Sequence, residues 1–127
     1  MKILIADDDD SVRRLLMLAV QSLGHDVLDA SDGAMAVERA LAERPAVVFL
    51  DVLMPRLNGL DALARLREQG FCGKVVIITA LSRATTTQLD AGVAPDAMLS
   101  KPFRRRDVAR VLEEIGLSGA RANGEPT

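Results

Sequence analysis

Two apolar segments of this chain end in aspartates, which are the residues with the clearest capacity for chemistry. Residues 2–6 (KILIA) are followed by four aspartates at 7–10, and residues 46–50 (AVVFL) are followed by Asp51. If both segments are neighbouring strands of an open parallel sheet, their carboxyl ends share the edge where such sheets bind ligands. Carboxylates gathered there repel each other unless a hard divalent cation with oxygen ligands neutralises them. The sequence therefore predicts an acidic metal site at this edge.

Asp51 is the candidate reactive group, because a carboxylate can attack phosphorus and form an aspartyl phosphate. Thr79 ends the apolar segment 74–79, and Lys101 follows the segment 96–100. Each also has an ordinary interpretation: Asp51 caps a loop, Thr79 is a strand residue and Lys101 is a solvated lysine. Together, four parallel strands would deliver acids, a hydroxyl and an ammonium group to one edge. That combination suits phosphoryl transfer.

Alternating strands and helices must position these residues. Apolar segments predict five strands, at residues 2–6, 26–30, 46–50, 74–79 and 96–100. Helices are predicted between them, at residues 12–23, 34–42, 58–69 and 105–115, with another within 82–95. This alternation predicts an α/β fold, with a parallel sheet, right-handed crossovers and helices on both faces.

The first helix has the clearest pattern. Ser11 is a good N-cap and Gly24 the terminating glycine. The acidic run can also cap this helix and favour its dipole, which is the alternative role of Asp7 and Asp8 and the expected one of Asp9 and Asp10. Apolar residues recur on one helical face, which we expect to be buried, at Val12, Leu15, Leu16, Ala19 and Leu23.

The composition of the 127 residues argues against several function classes. A net charge of −2 gives no basic footprint for nucleic acid, and no apolar segment is long enough to span a membrane. One cysteine, Cys72, and one histidine, His25, disfavour a zinc or Cys/His catalytic site and fit a reducing cytoplasm. Met1 is followed at once by a strand, so no signal peptide is expected. We expect one domain at residues 1–116 and a flexible tail at 117–127.

Four ordered motifs give the chain a specific resemblance to a known family. It resembles the response-regulator receiver domain of two-component signalling, the group that includes the chemotaxis regulator. The match spans residues 2–103 and extends to about 116 through the last helix; its segments are ILIADD (3–8), LDVLMP (50–55) with NG (58–59), ITA (78–80) and KPF (101–103). The resemblance implies a flavodoxin-like, doubly wound, five-stranded parallel sheet in the order 2-1-3-4-5, with five helices.

The resemblance also implies roles for individual residues. Asp51 would accept a phosphoryl group from a histidine kinase, a histidine phosphotransfer protein or a small phosphodonor. The cofactor would be Mg²⁺, with these ligands: Asp8, Asp51, the main-chain carbonyl of Leu53, and Asp7 through water. Thr79 and Lys101 would bind phosphate oxygens, Ala80 would leave room for the phosphoryl group, and the Lys101–Pro102 peptide would be cis. Gly59 would serve the sharp turn before the third helix.

The chain departs from the family pattern in the regions that carry a signal outward. Met98 stands three residues before Lys101, where the family usually has Tyr or Phe, and is either a signal relay or a plain core residue. Leu53 and Leu81 occupy positions that tune phosphoryl lifetime; neither can orient a water molecule, so we expect slow self-dephosphorylation. The fourth helix should be short or weak, because three consecutive β-branched residues, Thr85, Thr86 and Thr87, disfavour a helix and Pro95 cannot continue one. These threonines lie in the usual output face of the family, so we expect phosphorylation to order this segment.

The last helix adds a basic cluster to the predicted output face. It is either solvated surface or a docking patch for a protein partner, and consists of Arg104, Arg105 and Arg106. We expect a single-domain, cytoplasmic response regulator that binds an unidentified protein target and is not a turnover enzyme. Direct contact with nucleic acid or membrane is not expected, and weak homodimerisation through the last helix is left open.

Three alternative functions share parts of this pattern. A phosphatase of the haloacid dehalogenase type needs a second acid two residues after the nucleophile, where Leu53 stands. A flavin-binding module needs a Ser/Thr/Gly-rich phosphate loop after the first strand, where aspartates stand. A degenerate receiver, which docks partners without phosphorylation, is the alternative we retain, although all five chemistry positions are present.

Overall fold

A computed structural model describes residues 1–54, 56–80 and 94–116 of the chain. Strands and helices alternate up to residue 79, and a further strand and helix follow at residues 97–114, as the sequence predicts. The elements are β1 (Lys2–Ala6), α1 (Asp10–Ser22), β2 (Asp26–Ala30), α2 (Gly33–Glu43), β3 (Val47–Asp51), α3 (Gly59–Glu68), β4 (Lys74–Thr79), β5 (Ala97–Ser100) and α4 (Arg105–Glu114). The predicted helix within 82–95 falls almost entirely on residues 81–93, which lie outside the described residues, as does the predicted tail.

The five strands form one parallel sheet in the order β2-β1-β3-β4-β5, which confirms the predicted doubly wound topology. The register aligns the carboxyl ends of the central strands. Ala6 pairs with Leu50, Asp51 with Ile78, and Thr79 with Ser100. Residues that directly follow or end these strands therefore meet at one edge of the sheet.

Both faces of the sheet are covered by helices. Leu4, Leu50 and Ile77 belong to the core on the side of α2 and α3, whereas Ile3, Phe49 and Ile78 belong to the core on the side of α1 and α4. Alternate residues of each strand thus enter different cores. This explains why β3 is buried along its whole length and why its sequence is continuously apolar until Asp51. No helix within the described ranges is long and apolar enough to cross a bilayer.

The ends and the buried face of α1 differ in detail from the prediction. Asp9, and not Ser11, is the N-cap: its Oδ1 accepts hydrogen bonds from the main-chain N–H groups of Ser11 at 2.9 Å and Val12 at 3.2 Å. Aspartate and serine are both good N-caps, so the position of the cap was set by the residue at which the helix begins, which is Asp10. Gly24 follows the helix with a φ of +95°, as expected of a terminating glycine.

Leu15 was predicted to be buried, and this is wrong: its side chain is 55% exposed. The buried face consists of Leu16, Ala19 and Val20. Leu15 lies about 100° around the helix from Leu16, at the margin of the apolar stripe, and Leu18 is exposed beside it.

Candidate functional site

Three aspartates converge at the carboxyl edge of the sheet, as the strand ends predict. Asp7 is completely buried and Asp51 is 6% exposed, whereas Asp8 faces solvent. One carboxylate oxygen from each of the three lies within 4.8 Å of those of the other two. Asp7 Oδ1 accepts a hydrogen bond from the main-chain N–H of Asp9 at 2.9 Å, but its Oδ2 makes no hydrogen bond within the described part of the chain.

Lys101 supplies the positive charge of this cluster. Its Nζ lies 3.2 Å from Asp7 Oδ2 and 3.3 Å from Asp51 Oδ2, so the ammonium group bridges the two buried carboxylates. The contact with Asp51 has hydrogen-bond geometry, whereas that with Asp7 is only an ion pair. The main-chain N–H of Lys101 donates to the carbonyl of Thr79 at 2.8 Å, which continues the ladder of β4 and β5. The following peptide, Lys101–Pro102, is cis, as the resemblance implied.

The site is electrostatically unfavourable without a further cation. Burial, reinforced by the nearby Asp7 carboxylate, raises the pKa of Asp51 from 3.8 to about 6 in spite of Lys101. Burial acts to lower the pKa of Lys101, but the carboxylates of Asp51 and Asp7 outweigh it and raise the pKa of the ammonium above its ordinary value. One lysine thus compensates the buried acids incompletely.

This donor set fits Mg²⁺. Carboxylate oxygens are its preferred protein ligands, and Asp7, Asp8 and Asp51 each offer one. The buried Asp7 Oδ2 has Lys101 as an ion-pair partner but no hydrogen bond among the described residues. Leu53 lies two residues after Asp51 with its side chain 66% exposed. The role of its carbonyl as a ligand stays a prediction.

Gly59 lies closer to the site than the sequence indicated. It is the first residue of α3, and a Cβ atom built on it would lie 2.3 Å from the main-chain oxygen of Asp51. Its role is therefore close approach to the strand end, whereas the positive φ in this loop, 69°, belongs to Arg56. Asn58 caps the helix, accepting from two main-chain N–H groups with its Oδ1.

The remaining predicted site residues differ in burial, and some of them lie outside the described residues. Thr79 is buried at the end of β4, and Ala80 is exposed next to it. Leu81 and the three threonines at 85–87 lie outside the described residues. Met98 is on β5 with 36% of its surface exposed, beside a groove of about 300 Å³ that α4 also lines, so its interpretation as a plain core residue is wrong.

The three predicted output-face arginines are all exposed. They are Arg104, Arg105 and Arg106. Arg105 turns towards α1, where its Nε donates to Ser22 Oγ at 2.6 Å. Its neighbour Arg104 precedes α4, and its main-chain N–H donates to Asp107 Oδ2 at 2.8 Å. Whether these arginines form solvated surface or a docking patch stays a prediction.

Sequence reasoning missed Arg13. Its Nη1 donates a hydrogen bond to the main-chain oxygen of Asp7 at 2.8 Å, directly behind the acidic cluster. One signal was available: a basic residue in the second turn of a helix stands where positive charge opposes the helix dipole.

Comparison with known proteins decides the family. A family model of the response regulator receiver domain matches residues 3–113. The chain belongs to the response regulator receiver domain family. It is therefore a phosphoacceptor domain of two-component signalling, built on a chemotaxis-regulator-like fold.

Relatives of two lengths resemble this receiver domain. It is 36% identical over 111 residues to the alkaline phosphatase synthesis transcriptional regulatory protein PhoP of Bacillus subtilis, an alignment covering 87% of this chain and 46% of that protein. The chain spans about half the length of PhoP and of several other curated relatives it matches. By contrast, it is 33% identical over 115 residues to the response regulator receiver protein CpdR of Brucella abortus, covering 90% of this chain and 95% of that protein.

Solved receiver structures share the fold. The receiver domain of sensor histidine kinase PA1611 from Pseudomonas aeruginosa superimposes with a TM-score of 0.82 at 25% identity, over 91% of this chain and 97% of that one. That structure has a magnesium ion coordinated in its active-site cleft.

Proposed function

We propose that this receiver domain takes a phosphoryl group onto Asp51 in a Mg²⁺-dependent reaction and signals by changing a protein–protein contact. The donor would be the phosphohistidine of a histidine kinase or phosphotransfer protein. The observation that carries the proposal is the cluster of Asp7, Asp8 and Asp51 with Lys101 bridging its buried members. The magnesium ion in the cleft of the PA1611 receiver supports the choice of metal.

Each residue of the cluster has a chemical task in this scheme. Bound Mg²⁺ would supply positive charge for the oxygens of the transferring group. Asp8, Asp51 and the main-chain carbonyl of Leu53 would hold it directly, and Asp7 through water. At neutral pH the Asp51 carboxylate is mainly ionised, because its pKa of about 6 lies below 7. An oxygen of Asp51 attacks the phosphorus while the bond to the donor nitrogen breaks and its electron pair stays on that nitrogen. Lys101, already within 3.3 Å of Asp51, would then contact a phosphoryl oxygen.

The architecture around the cluster supports the same reaction. Thr79 ends β4 at the strand end next to Asp51, which places a hydroxyl-bearing residue beside the site. Ala80 is small and exposed, in keeping with its proposed role of leaving room for the phosphoryl group. Leu53 has no group that can orient an attacking water, so the phosphorylated form should be long-lived; Leu81 is predicted to act in the same way.

The wider role is also a proposal. The near-complete coverage of CpdR supports a receiver that acts as a single domain at residues 1–116, followed by a tail at 117–127. We propose a cytoplasmic protein that is not a turnover enzyme, with Met98 and the groove beside it contributing to the surface that changes on phosphorylation. The downstream partner is a protein rather than nucleic acid, in keeping with the net charge of −2.

Intact-mass measurement after incubation with acetyl phosphate tests this proposal directly. We expect one added phosphoryl group that requires Mg²⁺, is absent from Asp51→Asn and is retained by Asp61→Asn. Asp61 is a suitable control because it is an exposed aspartate in the first turn of α3. An Asp51→Asn variant that still gains the group would place the phosphoacceptor elsewhere. A folded wild-type protein that binds Mg²⁺ but gains no group would favour the docking module that works without phosphorylation.

A further inference from the structure

The guanidinium of Arg13, on α1, contacts three aspartates near the carboxyl edge of the sheet. Its Nη1 donates to the main-chain oxygen of Asp7 at 2.8 Å. Its Nη2 binds the Asp10 carboxylate, and its Nε lies 3.5 Å from Asp29 Oδ2 on β2. Its side chain is only 15% exposed, so these contacts hold the guanidinium in one position.

The contact with the Asp7 oxygen matters because this carbonyl belongs to the peptide that joins Asp7 to Asp8. The two carboxylates proposed to hold Mg²⁺ stand on either side of that peptide, so its orientation sets the direction in which both side chains leave the loop. The Asp7 N–H is held by the carbonyl of Ala30 at 3.2 Å, and Asp7 Oδ1 is held by the Asp9 N–H. Arg13 is the only side chain in the described residues that holds this peptide through its oxygen.

We propose that Arg13 is a positioning residue for the metal site, and that it acts by fixing the Asp7–Asp8 peptide while Asp10 and Asp29 fix its guanidinium. The inference rests on the Mg²⁺ site proposed above. Arg13 is also a positive charge close to that site, and charge alone opposes cation binding. Removing Arg13 should therefore weaken Mg²⁺ binding if its geometric role dominates, and strengthen Mg²⁺ binding if its charge dominates.

Calorimetric titration with Mg²⁺ separates these effects. We expect Arg13→Ala to bind Mg²⁺ about tenfold more weakly than wild type, at the lower end of the range for residues that orient metal ligands. The control is Arg14→Ala, which removes the same charge from the next, exposed residue of the same helix and should bind Mg²⁺ as tightly as wild type or slightly more tightly. Arg13→Lys should recover part of the affinity, because an ammonium can reach one acceptor but cannot hold all three.

A second readout reports the loop without any metal. Amide hydrogen exchange at Asp9, whose N–H donates to Asp7 Oδ1, should be faster in Arg13→Ala than in Arg14→Ala. Denaturant unfolding of each variant at the titration conditions shows that the folded form is being titrated. If Arg13→Ala does not fold, Arg13→Lys carries the same comparison, with a smaller expected loss of affinity.

The outcomes distinguish the inference from the function on which it rests. Arg13 variants that bind Mg²⁺ as tightly as Arg14→Ala, with unchanged exchange at Asp9, would overturn the positioning role and leave the metal site intact. A folded wild-type protein that does not bind Mg²⁺ would overturn the metal site itself, and the inference with it.

Discussion

The raised pKa of Asp51 predicts that replacing this residue by asparagine stabilises the metal-free protein at neutral pH. In the folded protein the pKa is about 6, compared with 3.8 in the absence of the fold, so the charged form is disfavoured by folding. A pKa change of one corresponds to about 1.4 kcal/mol, so this shift lowers the free energy of unfolding of the wild-type protein by about 3 kcal/mol above pH 6. Exposed Asp8 shows that solvent reaches the cluster and screens it, so we expect a gain of about 1–2 kcal/mol in Asp51→Asn.

The pH dependence of this gain follows from the direction of the pKa change. Between about pH 4 and pH 6 the folded wild-type protein binds more protons than the unfolded chain, so its stability falls as the pH rises. The advantage of Asp51→Asn should therefore grow through this window and be constant above it. By the same linkage relation, the advantage at pH 4.5 should be about one third of that at pH 7.5.

Urea unfolding with EDTA at pH 4.5, 6.0 and 7.5 measures this difference. Asp61→Asn is the charge control: it removes an exposed aspartate from the first turn of α3, where a negative charge is favourable, so a small loss of stability is expected at every pH. An Asp51→Asn variant that is no more stable than wild type at pH 7.5 would contradict this prediction. So would a gain in stability that is the same at all three pH values.

Three further predictions concern the scaffold. His25 is 8% exposed, and neither ring nitrogen has a hydrogen-bond partner among the described residues. Burial and the positive N-terminus lower the pKa of His25 despite Asp26, so the free energy of unfolding should fall as the pH drops below about 6.5. His25→Leu should remove that loss, which thermal unfolding at pH 7.5 and 5.5 measures. Arg67 donates hydrogen bonds to two main-chain carbonyls and to the Asp96 carboxylate. Arg67→Ala should therefore lower the free energy of unfolding in urea by about 2–3 kcal/mol, whereas the exposed control Arg65→Ala should lower it by less than about 0.5 kcal/mol. Equal losses in the two variants would contradict this prediction. Asp9→Ala should cost about 1 kcal/mol and Ser11→Ala much less, whereas the reverse order would restore Ser11 as the cap.

The sequence predicted the features that depend on strand ends. Asp51, Thr79 and Lys101 each end or directly follow a strand, and parallel strands bring their carboxyl ends together whatever their helices do. The parallel sheet followed from the alternation of strands and helices, whereas the strand order followed from the family resemblance. The convergence of the site was therefore predictable from spacing along the chain.

The features that could not be predicted depend on contacts between distant side chains. Arg13 and Asp29 approach to 3.5 Å only because α1 packs beside β2, and no local pattern records that distance. The exposure of Leu15 depends on how far α1 is rotated against the sheet, a matter of a few tens of degrees. Gly59 could be recognised as special, but its close approach to Asp51 is visible only once α3 is docked.

The penalty at Asp51 also connects metal binding to folding. A ligand that binds only the folded protein adds about 2.7 kcal/mol of stability at one hundred times its Kd. Bound Mg²⁺ and the Asp51→Asn substitution would both relieve the unfavourable burial of charge at Asp51 beside Asp7. Saturating Mg²⁺ and the Asp51→Asn substitution should therefore not be additive: Mg²⁺ should stabilise wild type by 2–3 kcal/mol and the variant by much less. Equal stabilisation of both proteins would show that Asp51 does not hold the metal, and Asp7 and Asp8 would then have to bind it alone.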